Sequence, residues 1–332
     1  MASSPPTERP CEVLTVSRAQ PFPLRYGRLT ARAAQVARTA DVVYASATYA
    51  AAAAASLLSR RPLVVKLVAD PAYERARRYR LFDGTLEEFQ SGGSRAVAAL
   101  KQARTAALRR ARHVIVPSRY LAEFALGWGL DPERVVVVPN PAPVSEVDEA
   151  ARPTTQRRGL VFAGRLTRQK ALDTALDAIA RVPEADLLVI GDGPDRARLE
   201  LHASRLGLNG RVRFVGSVPR AEVLQALAAA QALVISSDWE NFPHTAVEAL
   251  ALGTPLIATA VGGVPEIVSD GVNGLLVPPG EPDALAAAIE RFLGSEELRA
   301  RLVGAAPGSV AHLAAPLVYG RIEQLLAEAA ER

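Results

Sequence analysis

The chain has 332 residues, 49% of them hydrophobic and 22% charged, with a formal net charge of +4; that supplies two compact cores and excludes disordered and fibrous classes. One cysteine, Cys11, excludes an intrachain disulfide framework and a cysteine-based zinc site, which points to a reducing compartment. No apolar run reaches the roughly 20 residues of a spanning helix, and residues 1–10 carry no hydrophobic signal core, so a cytoplasmic protein is expected.

The charge is uneven. Residues 1–155 hold 22 basic and 14 acidic residues, and residues 156–332 hold 17 and 21. A basic first half suits an anionic ligand or contact with an anionic membrane surface at its inner face, and equally a solvated arginine face. Nucleic acid is not expected as a partner.

In chain order, short apolar runs are predicted as strands at 41–44, 63–68, 113–116, 135–138, 160–163, 187–190, 212–215, 233–235 and 255–258. Helical stretches separate them, among them the alanine run at 50–55. Strand–helix alternation on this scale predicts parallel sheets covered on both faces, an α/β class with two doubly wound domains. A Pro-rich and polar stretch, 139–159, reads as the linker. The expected division is a first domain over 1–150, a second over 151–310, and a final helix over 311–332 that crosses back to the first.

The second half carries the chemistry. Strand 160–163 leads into Gly164-Arg165-Leu166-Thr167-Arg168-Gln169-Lys170. Gly164 allows close backbone approach, Arg165 offers a planar fork to phosphate oxygens, and Lys170 adds a compact charge. Strand 187–190 runs into Gly191-Asp192-Gly193-Pro194, whose glycines let a loop pass near a ligand. It is not a dinucleotide fingerprint, because Arg196 stands where the third glycine belongs. Gly216, at the exit of strand 212–215, suits a base edge read by backbone groups. After strand 233–235 comes Glu240-Asn241-Phe242-Pro243-His244-Thr245-Ala246-Val247-Glu248. Pro243 suits a helix's first turn, which places Glu240 in the loop and Glu248 about one turn into the helix. Free amides near 241–245 would form an anion site flanked by two carboxylates suited to hydroxyl groups. An anion joined to a polyol describes a nucleotide sugar.

Residues 159–292 closely resemble the donor-binding domain of retaining glycosyltransferases of family 4, which have the GT-B fold of two Rossmann-like domains facing a cleft. The matching segments are Gly-Arg-Leu…Lys at 164–170, Gly-Asp-Gly-Pro at 191–194, the Glu240/Glu248 pair with the Ala249-Leu250-Ala251-Leu252-Gly253-Thr254-Pro255 that follows it, and Gly-Gly-Val-Pro-Glu at 262–266. The resemblance implies transfer of a sugar from a nucleotide donor to an acceptor hydroxyl with retention, the donor being a substrate and neither cofactor nor metal being required. By the same resemblance Arg165 and Lys170 hold the donor diphosphate, Glu240 meets the transferred sugar, and Glu248 the ribose. Asn241, Phe242 and Pro243 line the phosphate and sugar; with Gly164, Gly191, Gly216, His244 and Thr245 they complete the expected donor-binding set. Many members have Gly-Phe-Pro and an aliphatic residue where this chain has Asn-Phe-Pro-His, so His244 packs, caps or meets the donor.

Resemblance in the first half is looser, carried by residues 113–121 and 138–141 and reaching back to about Cys11. In many members a histidine follows the strand at 63–68. Val68-Ala69-Asp70-Pro71 stands here, which makes Asp70 the nearest polar candidate at the reacting centre, with helix capping as its alternative. Members also open with a strand, a glycine-rich loop and a helix ahead of the strand that 12–17 resembles, so an atypical or truncated first domain is expected. The acceptor is open, with an anionic or lipid-linked one suited to the arginines at 75–80 and 104–112. Two alternatives stay open: a non-catalytic nucleotide-sugar-binding protein, and an epimerase or phosphorylase on the same fold.

Overall fold

The structure, a computed structural model, describes residues 22–142 and 157–331. Cys11, the strand expected at 12–17 and most of the expected linker lie outside the described residues.

Four parallel strands make the first sheet: β1 (Val43–Ala45), β2 (Leu63–Lys66), β3 (His113–Val116) and β4 (Val135–Val137), in that spatial order. Between them run α1 (Phe22–Ala37), α2 (Tyr49–Ser59), α3 (Pro71–Arg78), α4 (Leu86–Ser91), α5 (Arg95–Arg109) and α6 (Arg119–Gly127). The strands are apolar without alternation because both faces are covered. Val65, Val114 and Val116 pack on one side with Leu108 and Leu121, while Val64 and Ile115 pack on the other.

The second sheet holds β5 (Leu160–Ala163), β6 (Leu187–Ile190), β7 (Val212–Gly216), β8 (Ala232–Ile235), β9 (Leu256–Thr259) and β10 (Gly274–Val277). Its helices are α7 (Leu172–Arg181), α8 (Arg196–Arg205), α9 (Arg220–Ala229), α10 (His244–Ala251), α11 (Pro282–Gly294) and α12 (Glu296–Ser309). This is the two-sheet α/β architecture expected. β10 was not anticipated, because Gly274, which reads as a turn residue, opens that strand, and a Cβ there would stand 2.7 Å from the Leu256 carbonyl.

The last helix, α13 (Ala315–Ala330), lies on the first sheet, packing Val318, Ile322, Leu325 and Ala329 against Val64, Ile115 and Val138. The chain's two crossings are paired, since Ala142 N donates to Leu313 O at 2.7 Å and Ala142 bridges Ala314. Among the described residues, no helix is long and apolar enough to cross a membrane.

Strand order in the second sheet is β10-β9-β8-β5-β6-β7, so the chain reverses direction between β5 and β8. At such a switch point the loops from adjacent strands leave toward opposite faces and open a crevice at the carboxyl ends. The β5–β8 ladder registers two pairs, Leu160 with Ala232 and Val161 with Leu233, against four for β5–β6. The two strands therefore part before their carboxyl ends, where the motif loops begin.

Candidate active site

Two loops flank the switch point, 164–171 after β5 and 236–243 after β8. They are tied together: Ser236 Oγ donates to Lys170 O at 3.0 Å, Asp238 N to Gln169 O at 2.9 Å, and Gln169 Nε2 to Trp239 O at 2.9 Å. Across that seam Lys170 Nζ meets Glu240 Oε1 at 2.5 Å, and Ser237 Oγ donates to the same oxygen at 2.6 Å. Glu240 is 5% exposed, and a carboxylate so buried needs a cation and a hydroxyl to hold it. Lys170 has three donors and gives one to Glu240, which keeps ammonium hydrogens for an incoming anion. Arg165 stands exposed on the same loop and makes no hydrogen bond or ion pair among the described residues.

α10 starts beside this seam with Pro243 as its N-cap, and no side chain caps it. The His244 and Thr245 amides at its first turn are the orphan donors of a helix start. Glu248, in the next turn and 5% exposed, accepts from Arg220 Nη1 at 2.7 Å. His244 is open to solvent on one side, yet desolvation by its neighbours lowers its imidazole pKa. Glu248 opposes that shift, while Lys66 and Arg220 add to it. Lys66 belongs to the first domain, at the carboxyl end of β2, and burial lowers its own ammonium pKa. The two domains therefore share an electrostatic environment at His244.

The glycine motifs act on the loops themselves. A Cβ on Gly191 would lie 1.9 Å from Gly164 O, and one on Gly193 would lie 2.2 Å from Leu166 O. The loop after β6 thus seats the Gly164–Leu166 backbone, with Leu166 N donating to Asp192 O at 3.0 Å. Gly262 and Gly263 do the same for the other loop, where a Cβ on either would stand 1.8 Å from the Glu240 or Asn241 carbonyl. Gly164 itself has room for a Cβ, so the close approach expected there belongs to its partner, Gly191. Gly216 makes the positive-φ exit of β7 and accepts from Gly191 N at 2.8 Å.

Several expected donor-site residues also fasten the two domains. Asn241 Oδ1 accepts from Ser118 Oγ at 2.6 Å, and its Nδ2 donates to Val68 O. Phe242 is buried and its carbonyl accepts from Asn140 Nδ2 at 3.1 Å. Glu266 reaches across to cap α6, accepting from Arg119 N at 2.8 Å and Tyr120 N at 2.9 Å. Nothing in the residue pattern announces the Glu266 contact, since a carboxylate in a Pro-Glu turn is ordinary surface chemistry. Lys66 did leave a signal: it is the charged end of an otherwise apolar strand.

Asp70 requires a correction. It is 2% exposed and caps α3, accepting from Ala72 N at 2.8 Å and Tyr73 N at 3.3 Å through Oδ1. Its Oδ2 is held by Arg104 Nη1 at 2.6 Å and Gln90 Nε2 at 3.2 Å. Both oxygens are committed to the fold, so Asp70 is a structural residue and the place expected for it at the reacting centre is withdrawn. Among the described residues there is no cluster of three or more His, Cys, Asp or Glu placed to hold a metal.

Comparison with known proteins falls into the same two halves. Residues 2–141 match the family model "Glycosyl transferase 4-like domain", and residues 145–308 match "Glycosyl transferases group 1". The chain is 34% identical over 178 residues to the lipopolysaccharide core biosynthesis glycosyltransferase LpsE of Rhizobium meliloti, covering 53% of this chain and 52% of that one. It is 36% identical over 206 residues to a D-inositol 3-phosphate glycosyltransferase of Frankia alni, covering 55% and 50%. The chain thus spans about half the length of these curated relatives. Among solved structures, Anabaena HepE in complex with UDP-glucose superposes with a TM-score of 0.77 at 25% identity, over 93% of this chain and 84% of that one. Sucrose-phosphate synthase of Thermosynechococcus elongatus, at 22% identity, has the same fold with a TM-score of 0.76, over 92% and 77%.

Proposed function

We propose that this chain, built from two glycosyltransferase-family domains in the GT-B arrangement, moves a sugar from a nucleoside-diphosphate sugar to an acceptor hydroxyl and retains the anomeric configuration. The observation that carries the reading is the Lys170–Glu240 pair, set at the switch point of the second sheet beside the uncapped start of α10.

In this reading the donor diphosphate lies between the Lys170 ammonium and the first-turn amides of α10, with Arg165 closing on it from the β5 loop. Glu240 orients Lys170 through Oε1 and presents Oε2 to a hydroxyl of the sugar. Glu248, steadied by Arg220, takes the ribose hydroxyls. As the bond between the anomeric carbon and the phosphate oxygen breaks, negative charge grows on that oxygen. Cations and amides already in place stabilise this charge more than they stabilise the ground state. The acceptor oxygen attacks from the face the diphosphate leaves, and its proton passes to the departing phosphate oxygen. Charge neutralisation is thereby assigned to side chains, and EDTA is expected to leave the rate unchanged. HepE's complex with UDP-glucose makes a uridine donor the first to try.

The experiment is incubation with UDP-, GDP- and ADP-sugars, each with and without a panel of acceptor alcohols, followed by proton NMR of the anomeric signal. Transfer with the donor's own anomeric coupling supports the reading. An inverted product, or epimerised donor in the tubes without acceptor, contradicts it.

A further inference from the structure

A cavity of about 440 Å³ lies wholly in the first domain. That is room for a monosaccharide-sized molecule. It opens at the carboxyl ends of β1 and β2, and its wall is unusually cationic, with guanidinium groups contributed by Arg25 on α1, Arg75 and Arg78 on α3, and Arg104 on α5. The acidic groups are Glu74 on the wall and Asp70, the partner of Arg104. With Arg104 already paired to Asp70, Arg75 and Arg78 face the single wall carboxylate Glu74, which leaves the wall net positive and suited to an anion such as a phosphate.

Three further observations agree. The side chains of Arg75 and Arg78 make no hydrogen bond or ion pair among the described residues. Arg104 is buried, its Nη1 held by Asp70 and its guanidinium stacked on Trp128 with Cζ 3.7 Å from the ring centroid, so it adds positive charge behind the wall. Finally, the first turn of α2 meets the cavity at Thr48, Tyr49 and Ala50, and that helix start has no side-chain cap and no acidic residue. Its amides and its dipole favour an anion there.

The cavity adjoins the donor loop. Val68 lines it, and the carbonyl of the same residue accepts from Asn241 Nδ2. The Val68 carbonyl thus ties the rim of the cavity to the loop that carries Glu240.

We propose that this cavity is the acceptor pocket, and that it selects an acceptor carrying a phosphate group, held by Arg75, Arg78 and the start of α2. The inference rests on the donor reading above for its word "acceptor"; the phosphate site itself does not.

The test is titration calorimetry on the full chain with saturating UDP present, so that the diphosphate site is blocked. The probes are glucose 6-phosphate, glucose, and vesicles of phosphatidylcholine with or without phosphatidylinositol. Wild type is expected to bind glucose 6-phosphate or the phosphatidylinositol vesicles and to ignore glucose and plain vesicles. The first outcome places the phosphate on a soluble sugar, the second on a lipid headgroup. The double variant Arg75→Ala/Arg78→Ala is expected to lose about tenfold or more in affinity for that probe. Arg75→Lys/Arg78→Lys should recover part of the loss, and UDP binding should be the same in all three proteins. Absence of binding by both phosphate probes, or equal binding by the double alanine variant, overturns the proposal. If none of UDP, GDP and ADP binds, the donor reading falls while the phosphate arm still decides the cavity.

Discussion

Charge placement at single residues carries most of the structure's commitments. The Asp70–Arg104 pair is the clearest, since both side chains are almost wholly shielded and Asp70 also caps α3. Removing one member of such a pair leaves the other as an uncompensated buried ion. Asp70→Asn keeps an oxygen for the cap and loses the ion pair, so a stability loss of about 3–5 kcal/mol is expected, read from urea unfolding. A loss under about 1 kcal/mol would show that Arg104 finds water instead. His113 makes a second case. Both ring nitrogens are buried without a partner, and desolvation lowers the imidazole pKa; Glu328 opposes the shift, and Arg112, Arg321 and Arg134 add to it. The sign follows directly: below the ordinary value of 6.5 the unfolded chain takes up a proton that the folded chain resists. Stability is therefore full above that pH and is lost as pH falls toward the depressed folded value. His113→Phe, which fills the same space without ring nitrogens, should flatten the fall in unfolding midpoint between about pH 7 and 5.5. An unchanged slope would contradict the assignment.

At the scale of elements, paired loops decide where the chemistry sits. The β8 loop is seated on Gly262 and Gly263, with Gly263 N donating to Glu240 O at 3.1 Å. Gly263→Ala would place a methyl group 1.8 Å from the Asn241 carbonyl and 3.1 Å from Ser118 Cβ, so the loop must move. Displacement by about 1 Å at a positioning loop is expected to cost on the order of 10²-fold in kcat/KM, with the fold retained by circular dichroism. A rate within about threefold of wild type would show that the loop is not so constrained. Much at this scale was legible in the sequence. The strands β3, β5 and β6 fall where their apolar runs predict, and α10 starts at His244, one residue past the proline expected in its first turn, with Pro243 as its N-cap. The glycines were also legible as turns. Their deeper role was not, because a glycine needed for contact with a distant backbone looks the same in sequence as one needed for its own φ. β10 was missed for a related reason, its first residue being a glycine whose pairing with β9 is set by a helix-length crossover.

Across the whole molecule, the cleft is crossed by polar contacts that no local pattern announces. Glu266, Asn241 and Asn140 each join loops more than a hundred residues apart in sequence. Trp239, on the donor loop, packs edge-on to Tyr73 of the first domain with ring centroids 6.0 Å apart. Glu266 is the most exposed to test, because its carboxylate serves two amides at the positive end of α6. Glu266→Ala is expected to lower kcat/KM about tenfold through loss of these charge-assisted bonds, while the affinity for free nucleoside diphosphate stays within about twofold. A parallel loss of nucleotide affinity would place Glu266 in the donor site instead. The separation of roles was only half legible. The motifs that bind charge are contiguous and readable, while Asp70, which reads as a reacting group beside a missing histidine, became structural because Arg104, thirty-four residues away, closes on it.

In the proposed reading, Arg165 and Lys170 hold a nucleoside diphosphate at the carboxyl end of β5. Titration calorimetry of UDP, GDP and ADP into wild type and into Arg165→Ala and Lys170→Ala, with kcat measured on the same preparations, tests it most directly. At least one nucleotide is expected to bind once per chain, each variant to weaken it about tenfold or more, and kcat to fall by roughly 10²-fold. Binding and turnover that survive both substitutions unchanged would contradict it.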